Sequence, residues 1–241
     1  THGALAGLSR LALEDDGTVY AEAGVATPKL ARFAANHDFA EAEFFAGIPG
    51  TVGGALAMNA GCHGGETWRY VTRVLMVNRQ GECVARSVDD FEIGYRHVQP
   101  QLDADEFFVA AWLRFPSGQS AVARMRIREL LARRIATQPL GLPNAGSVFR
   151  NPPGDHAARL IEAAGLKGAW LGGAQVSEKH ANFIVNPEGK ATAKEIEMLI
   201  HQIRLEVNKK FAVALVPEVR IVGENPVGEH SVGKNLVGES L

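Results

Sequence analysis

Four groups of residues in this chain have types and spacings that could do chemistry. The first is the run at residues 46–66, AGIPGTVGGALAMNAGCHGGE, in which seven of 21 residues are glycine and no charge precedes Glu66. Glycine has no Cβ, so such a run can bring main-chain N–H groups close to a ligand. A row of those groups makes a nest for phosphate or pyrophosphate. A structural turn rich in glycine fits the same composition. The run has neither the Gly-Lys-Ser/Thr of a P-loop nor the G-x-G-x-x-G spacing of a dinucleotide fold. From its residues alone it reads as a diphosphate cradle of an unusual kind. The second group, Gly94-Tyr95-Arg96-His97, sets a guanidinium beside a glycine and an aromatic ring. A planar fork of that kind can hold a carboxylate through two parallel bonds, although a plain surface arginine has the same sequence signature.

In the third group, Asn144-Ala145-Gly146-Ser147-Val148-Phe149-Arg150-Asn151-Pro152, the serine follows a glycine and precedes two apolar residues. That suits a hydroxyl held at the edge of a cleft. It equally suits a loop serine bonded to its own backbone. The G-x-S-x-G elbow is missing, which argues against a serine hydrolase. The fourth group, Pro217-Glu218-Val219-Arg220, puts a carboxylate in an otherwise apolar stretch. Burying such a charge is costly, so Glu218 must pair with a cation, Arg220 being one candidate, or hold a raised pKa.

The elements that position these groups can be read from periodicity. Residues 1–25 predict two strands around the Asp16-Gly17 turn, and residues 71–77 and 82–86 a second hairpin. Leu30, Phe33 and Ala34 recur at helical spacing within 28–37. Residues 107–115 form a short apolar run of the kind a buried strand needs. Residues 121–137 predict a basic helix, and 156–164 and 193–210 two further helices. A strand is expected at 182–185 and another at 213–222, where Pro217 demotes it to an edge or a bulge. Strands mixed with helices in this order point to an α+β fold rather than a doubly wound sheet. Residues 224–241 repeat VGE or VGK with no apolar face and predict a disordered tail.

Composition narrows the function classes. A formal net charge of −2 gives no reason to expect nucleic acid or a membrane surface as partner. No apolar run reaches the roughly 18 residues of a membrane span, and the chain does not open on a signal peptide. Cys62 and Cys83 make neither a disulfide framework nor a zinc pattern, so no metal is expected. Two reduced thiols in a cytoplasmic protein are the plain expectation.

The run I-P-G-T-V-G-G followed by N-A-G resembles the flavin-binding segment of bacterial UDP-N-acetylenolpyruvoylglucosamine reductases. The motifs G-Y-R, N-A-G-S-x-F-x-N-P and P-E-V-R follow in the order found in that family, and the resemblance extends from about Leu5 to Gly223. It implies the second lobe of a vanillyl-alcohol-oxidase-like FAD-binding domain at residues 1–120. A substrate-binding domain with its leading helix would follow at 121–212, and 213–223 would form the closing strand of the first FAD lobe. It also implies FAD and NADPH as cofactors and reduction of the enolpyruvyl ether of UDP-N-acetylglucosamine to UDP-N-acetylmuramate. By the same resemblance, Ile48, Pro49, Gly50, Thr51, Gly53, Gly54, Asn59, Ala60 and Gly61 would line the cofactor. Arg96 would meet the substrate carboxylate, Ser147 would protonate the substrate carbon, and Glu218 would work with the arginine. Tyr95, Asn151 and Lys167 would contact substrate, Lys167 at its diphosphate. The run Ser177-Glu178-Lys179-His180-Ala181-Asn182 is similar to a family segment near the substrate pocket, without individual roles.

The short link from Asn151 to Lys167 resembles the compact subgroup of these reductases, and a monomer is expected. The family's front section, with its G-x-G-S-N loop, has no counterpart in these residues. The 241-residue polypeptide alone is therefore expected to bind FAD weakly or not at all, and a yellow preparation with stoichiometric flavin would overturn that. Two other readings stand beside the reductase. One is a flavin-free UDP-sugar-binding protein; the other is a flavoprotein oxidase of similar fold, its FAD tethered to Cys62 or His63.

Overall fold

A computed structural model describes residues 7–101 and 105–223. The chain divides into two compact units, Thr1–Ala136 and Thr137–Leu241. The predicted tail at 224–241 lies outside the described residues.

The first unit is built on a five-stranded antiparallel sheet. Strands β1 (Leu11–Leu13) and β2 (Val19–Glu22) form the first predicted hairpin. Its turn is closed by Asp16, which accepts from the Thr18 N–H and hydroxyl at 2.9 and 2.6 Å. Helix α1 (Thr27–Asn36) has proline in its first turn and buries Leu30, Ala31, Ala34 and Ala35 along one face. Helix α2 (Val52–Ala57) is short and carries two glycines in its first turn. A small ribbon, β3 (Gly61–Cys62) with β4 (Gly65–Glu66), follows it. Strands β5 (Val71–Asn78) and β6 (Cys83–Ser87) form the second predicted hairpin. The unpredicted pair β7 (Phe91–Gly94) and β8 (His97–Pro100) turns on Tyr95 and Arg96. Strand β9 (Glu106–Leu113) lies between β2 and β5, giving the order β1-β2-β9-β5-β6.

Helix α3 (Ser120–Thr137) is the predicted basic helix. Its Ala123 and Ile127 join the core of the first unit with Phe45, Leu56, Trp68 and Leu113. The first compact unit extends to Ala136, and the apolar face of α3 is buried on the earlier residues.

The second unit carries a four-stranded sheet ordered β10-β13-β12-β11, from β10 (Asn144–Ser147), β11 (Trp170–Leu171), β12 (Ala174–Val176) and β13 (Phe183–Val185). Helices α4 (Ala157–Ala163) and α5 (Ala193–Phe211) pack with it around Phe149, Leu160, Ile161 and Val176. Leu199, Ile203 and Val207 give α5 an apolar stripe at helical spacing that enters the same core. Its start is set by a capping box: the Glu195 N–H donates to the Thr192 hydroxyl at 3.2 Å, and the Thr192 N–H to the Glu195 carboxylate at 2.8 Å. These bonds to Thr192 lower the Glu195 pKa. The expected closing strand at 213–222 is reduced to one bridge, Phe149↔Pro217. Pro217 has no N–H to extend a ladder, and Leu215 anchors the segment in the core of the second unit.

Thr192→Ala removes the reciprocal cap and is expected to lower stability by about 1 kcal/mol. Urea unfolding should show this as a lower midpoint with an unchanged slope.

Candidate functional site

The glycine run folds as a loop, a short helix and a ribbon packed on the first sheet. Thr27, fully buried, pins the loop: its hydroxyl donates to Ile48 O at 2.6 Å and Gly50 O at 3.2 Å. Thr51 pairs with Ala26 in an isolated bridge, and the N–H groups of Val52 and Gly53 donate to Val25 O and Ala23 O at 2.8 and 2.9 Å. Two of the donors that a phosphate nest would use are therefore occupied by main chain. Several glycines serve internal packing. A Cβ on Gly53 would come within 2.9 Å of the Ala23 Cβ, and one on Gly61 would overlap Gly65 O. Gly50 is different. A Cβ there would meet nothing within 4 Å, and Gly54 has only the Thr51 hydroxyl at 3.9 Å. Nothing among the described residues requires glycine at position 50, so its bare face fits a flat ligand laid against the loop.

Asn59, 2% exposed, joins this run to the β7–β8 hairpin. Its Nδ2 donates to Gly94 O at 3.0 Å and to Glu66 at 3.2 Å, while its Oδ1 accepts from the Trp68 N–H at 3.1 Å. The side chain is occupied inside the protein. Any cofactor contact at Asn59, Ala60 or Gly61 therefore falls mainly to the backbone. Arg96 comes back onto the same stretch, with Nη1 donating to Asn59 O at 3.2 Å and Nη2 to Gly61 O at 2.6 Å. It does so from φ 53°, a left-handed conformation uncommon outside glycine and held only where surroundings over-determine it. The guanidinium also lies 5.0 Å over the exposed Tyr95 ring. Arg96 and the glycine run, far apart in sequence, are thus one constellation.

In the second unit, Ser147 ends β10 opposite Phe183. Among the described residues its hydroxyl has no hydrogen-bond partner. The next three residues are held on both edges. The Glu218 N–H donates to Val148 O at 2.8 Å and the Arg150 N–H to Val216 O at 2.9 Å. On the other edge, the Asn182 side chain brackets Phe149: Oδ1 accepts its N–H at 3.0 Å and Nδ2 donates to its carbonyl at 2.8 Å. Phe149 is 1% exposed, and leaving either of these groups unpaired would cost roughly 1–3 kcal/mol. Ser147 and Glu218 consequently flank one short stretch of backbone. Asn151 lies just beyond it, its Oδ1 accepting from Ala157 N–H at 3.1 Å and its amide nitrogen remaining as a donor.

Lys167 pairs with Glu162 at 2.9 Å on the surface. A cavity of about 460 Å³ is lined by Leu140, Leu142, Gln175, Ser177, Glu178 and Lys179. Part of the Ser177–Asn182 run therefore faces a hollow of ligand size. Arg150 adds a buried Nε with no acceptor among the described residues. Cys62 does not fit a covalent tether: its thiol donates to Phe44 O at 3.2 Å, and burial pushes it up to about 11.

Sequence reasoning passed over Thr27 and gave Asn182 no individual role. A lone threonine at a helix start and a lone asparagine in a loop carry no spacing signal; what marks both is burial.

These features can be set beside known proteins. Residues 4–87 match the family model described as an FAD binding domain, which defines the first unit as part of a flavoprotein. Residues 138–222 match the model of the UDP-N-acetylenolpyruvoylglucosamine reductase C-terminal domain. The chain is 58% identical over 210 residues to the UDP-N-acetylenolpyruvoylglucosamine reductase of Thiobacillus denitrificans, covering 87% of this chain and 64% of that protein. With the enzyme of the same name from Alkalilimnicola ehrlichii it shares 57%, over 90% of this chain and 72% of the relative. The crystal structure of the reductase from Thermus caldophilus superposes with a TM-score of 0.69 at 31% identity, covering 83% of this chain and 71% of that one. The chain belongs to the UDP-N-acetylenolpyruvoylglucosamine reductase family. It spans 64% of the length of the Thiobacillus relative.

Two glycine substitutions separate packing from binding. Gly61→Ala should destabilise the protein by about 3 kcal/mol, because β3 and β4 must part. Gly50→Ala should change stability by less than about 0.5 kcal/mol while weakening flavin retention, measured by thermal unfolding and by flavin absorbance after gel filtration of the holoprotein.

Proposed function

We propose that this chain supplies the second FAD lobe and the substrate-binding domain of an NADPH-dependent reductase. Its reaction converts the enolpyruvyl ether of UDP-N-acetylglucosamine to the lactyl ether, giving UDP-N-acetylmuramate for peptidoglycan. The observation that carries this reading is the stretch at 148–150, which bears Ser147 on one side and hydrogen-bonds Glu218 on the other. That arrangement occurs in a chain more than half identical to enzymes named for the reaction.

Bound FAD would lie along the open face at Gly50 and Gly54, with Ile48, Pro49, Thr51, Gly53, Asn59, Ala60 and Gly61 shaping the wall behind it. It would supply the hydride-transfer chemistry that side chains lack. The residues of the chain do the rest. Arg96, fixed by the Asn59 and Gly61 carbonyls, offsets negative charge developing on the substrate carboxylate without having to reorganise. Glu218 works with Arg96 at that carboxylate as its charge grows. Ser147 donates the proton to C2. A free serine is a poor acid, so neighbouring groups must lower the cost of its ionisation. Asn151 offers its amide N–H to the nucleotide and Tyr95 a wall beside the carboxylate. Lys167 exchanges its exposed partner Glu162 for the substrate diphosphate, at little cost because exposed ion pairs contribute about 0–1 kcal/mol.

One observation favours the flavin-free UDP-sugar-binding alternative: the first N–H groups of α2 are already bonded to Ala23 and Val25. Flavin absorbance before and after denaturation of the complete protein separates the two readings. Within the reductase reading, Ser147→Ala should slow protonation of C2 in single turnover by about 10²–10⁴-fold, with reduction of FAD by NADPH unchanged. Unimpaired protonation would remove the serine from its role.

A further inference from the structure

The β10–β13 ladder stops at Ser147↔Phe183 for a local reason. One residue earlier on β13's side, the chain turns. The Phe183 N–H bonds back to His180 O at 3.0 Å, and the Asn182 N–H approaches His180 Nδ1 at 3.3 Å. The His180 ring packs edge-on against Phe183 at 4.9 Å and fixes that turn. With the partner strand gone, the Phe149 N–H and C=O would face nothing. They cannot be taken up by the opposite edge, where Phe149 stands across from Pro217 and the bonds run through Val148 O and Arg150 N instead. Asn182, 4% exposed, fills the gap with a group that donates and accepts at once. Its own carbonyl takes the Val148 N–H at 2.9 Å. One residue thus satisfies three main-chain groups of the segment that follows Ser147.

We propose that Asn182 is a positioning residue for the reaction, its carboxamide standing in for the missing strand and holding Ser147 and Glu218 in register through residues 148–150. This rests on the assignment of Ser147 as proton donor. Asn182 does not touch the reacting atoms. Its effect is carried by the backbone: if the Phe149 clamp opens, Ser147 shifts at one end, Asn151 at the other, and the Val148 carbonyl loosens its hold on the Glu218 N–H. The only requirement at position 182 is a short side chain carrying both a donor and an acceptor, which among uncharged residues with two separate polar atoms means asparagine.

The test uses the complete FAD-loaded enzyme with Asn182→Ala, Asn182→Asp and, in parallel, Ser147→Ala. The aspartate variant turns an oxygen toward the Phe149 carbonyl, which repels it and opens the clamp, so it serves where the alanine variant does not fold. Two readouts are taken. Amide hydrogen exchange at Phe149 should accelerate at least tenfold while exchange at Leu199, in α5, is unchanged. In single turnover, protonation of C2 should slow on the order of 10- to 100-fold, as small misplacements of a reacting group do, with flavin reduction by NADPH within twofold of wild type. Unaltered exchange at Phe149 overturns the clamp. Accelerated exchange with normal protonation, or equal losses in both half-reactions, overturns the positioning role and leaves a structural one. Normal protonation in Ser147→Ala instead overturns the donor assignment, and the exchange data then tell that failure apart from failure of the clamp.

Discussion

Each unit depends on the same constraint: where a strand ladder ends inside the protein, the next main-chain groups still need partners. Two buried asparagines meet it, Asn59 in the first unit and Asn182 in the second. A carboxamide has the donor and acceptor of a peptide group and can therefore replace a missing strand neighbour. Asn59 ties the end of the glycine run to the hairpin that carries Arg96. Asn182 ties the turn before β13 to the segment that follows Ser147. Of the candidate catalytic residues, Arg96 and Glu218 occupy turn and loop positions and Ser147 the last position of a strand. Their precision comes from these buried amides and from the sheets beneath them.

The glycine run shows how composition and geometry can diverge. It reads as a nest of N–H groups, yet the folded chain gives two of those groups to the Ala23 and Val25 carbonyls just after β2 and uses Gly53, Gly61 and Gly65 to let backbone and rings approach closely. Around Gly50 and Gly54 the surface is left bare. Glycine content reports that something comes near. It does not say whether that something is a ligand or another strand, because both demands remove the same Cβ.

Much of the fold was legible in the sequence. The Asp16-Gly17 and Gly81 turns, the apolar stripe of α5 and the basic run of α3 each carry a local signal, and the corresponding elements form where expected. The β7–β8 hairpin and the two-residue strands β3, β4 and β11 were not legible, since so few residues show no periodicity. The strand expected at 213–222 failed for a reason visible in advance, Pro217, whose effect was larger than a simple bulge. Of the site, the family motifs marked Arg96, Ser147 and Glu218. The folded chain supplies what motifs cannot: which carbonyls hold Arg96, and how Glu218 reaches Val148. Thr27 and Asn182 escaped because their importance lies in burial and long-range pairing, which have no spacing.

The contact between Gly53 and Ala23 also constrains how this chain can drift over generations. A Cβ on residue 53 would stand 2.9 Å from the Ala23 methyl, and the Gly53 N–H already bonds to Ala23 O. Neither position can grow unless the other yields, and residue 53 has nothing left to give up. Ala23 therefore carries a restriction inherited from the glycine run 30 residues away, although in its own turn it is an unremarked small residue.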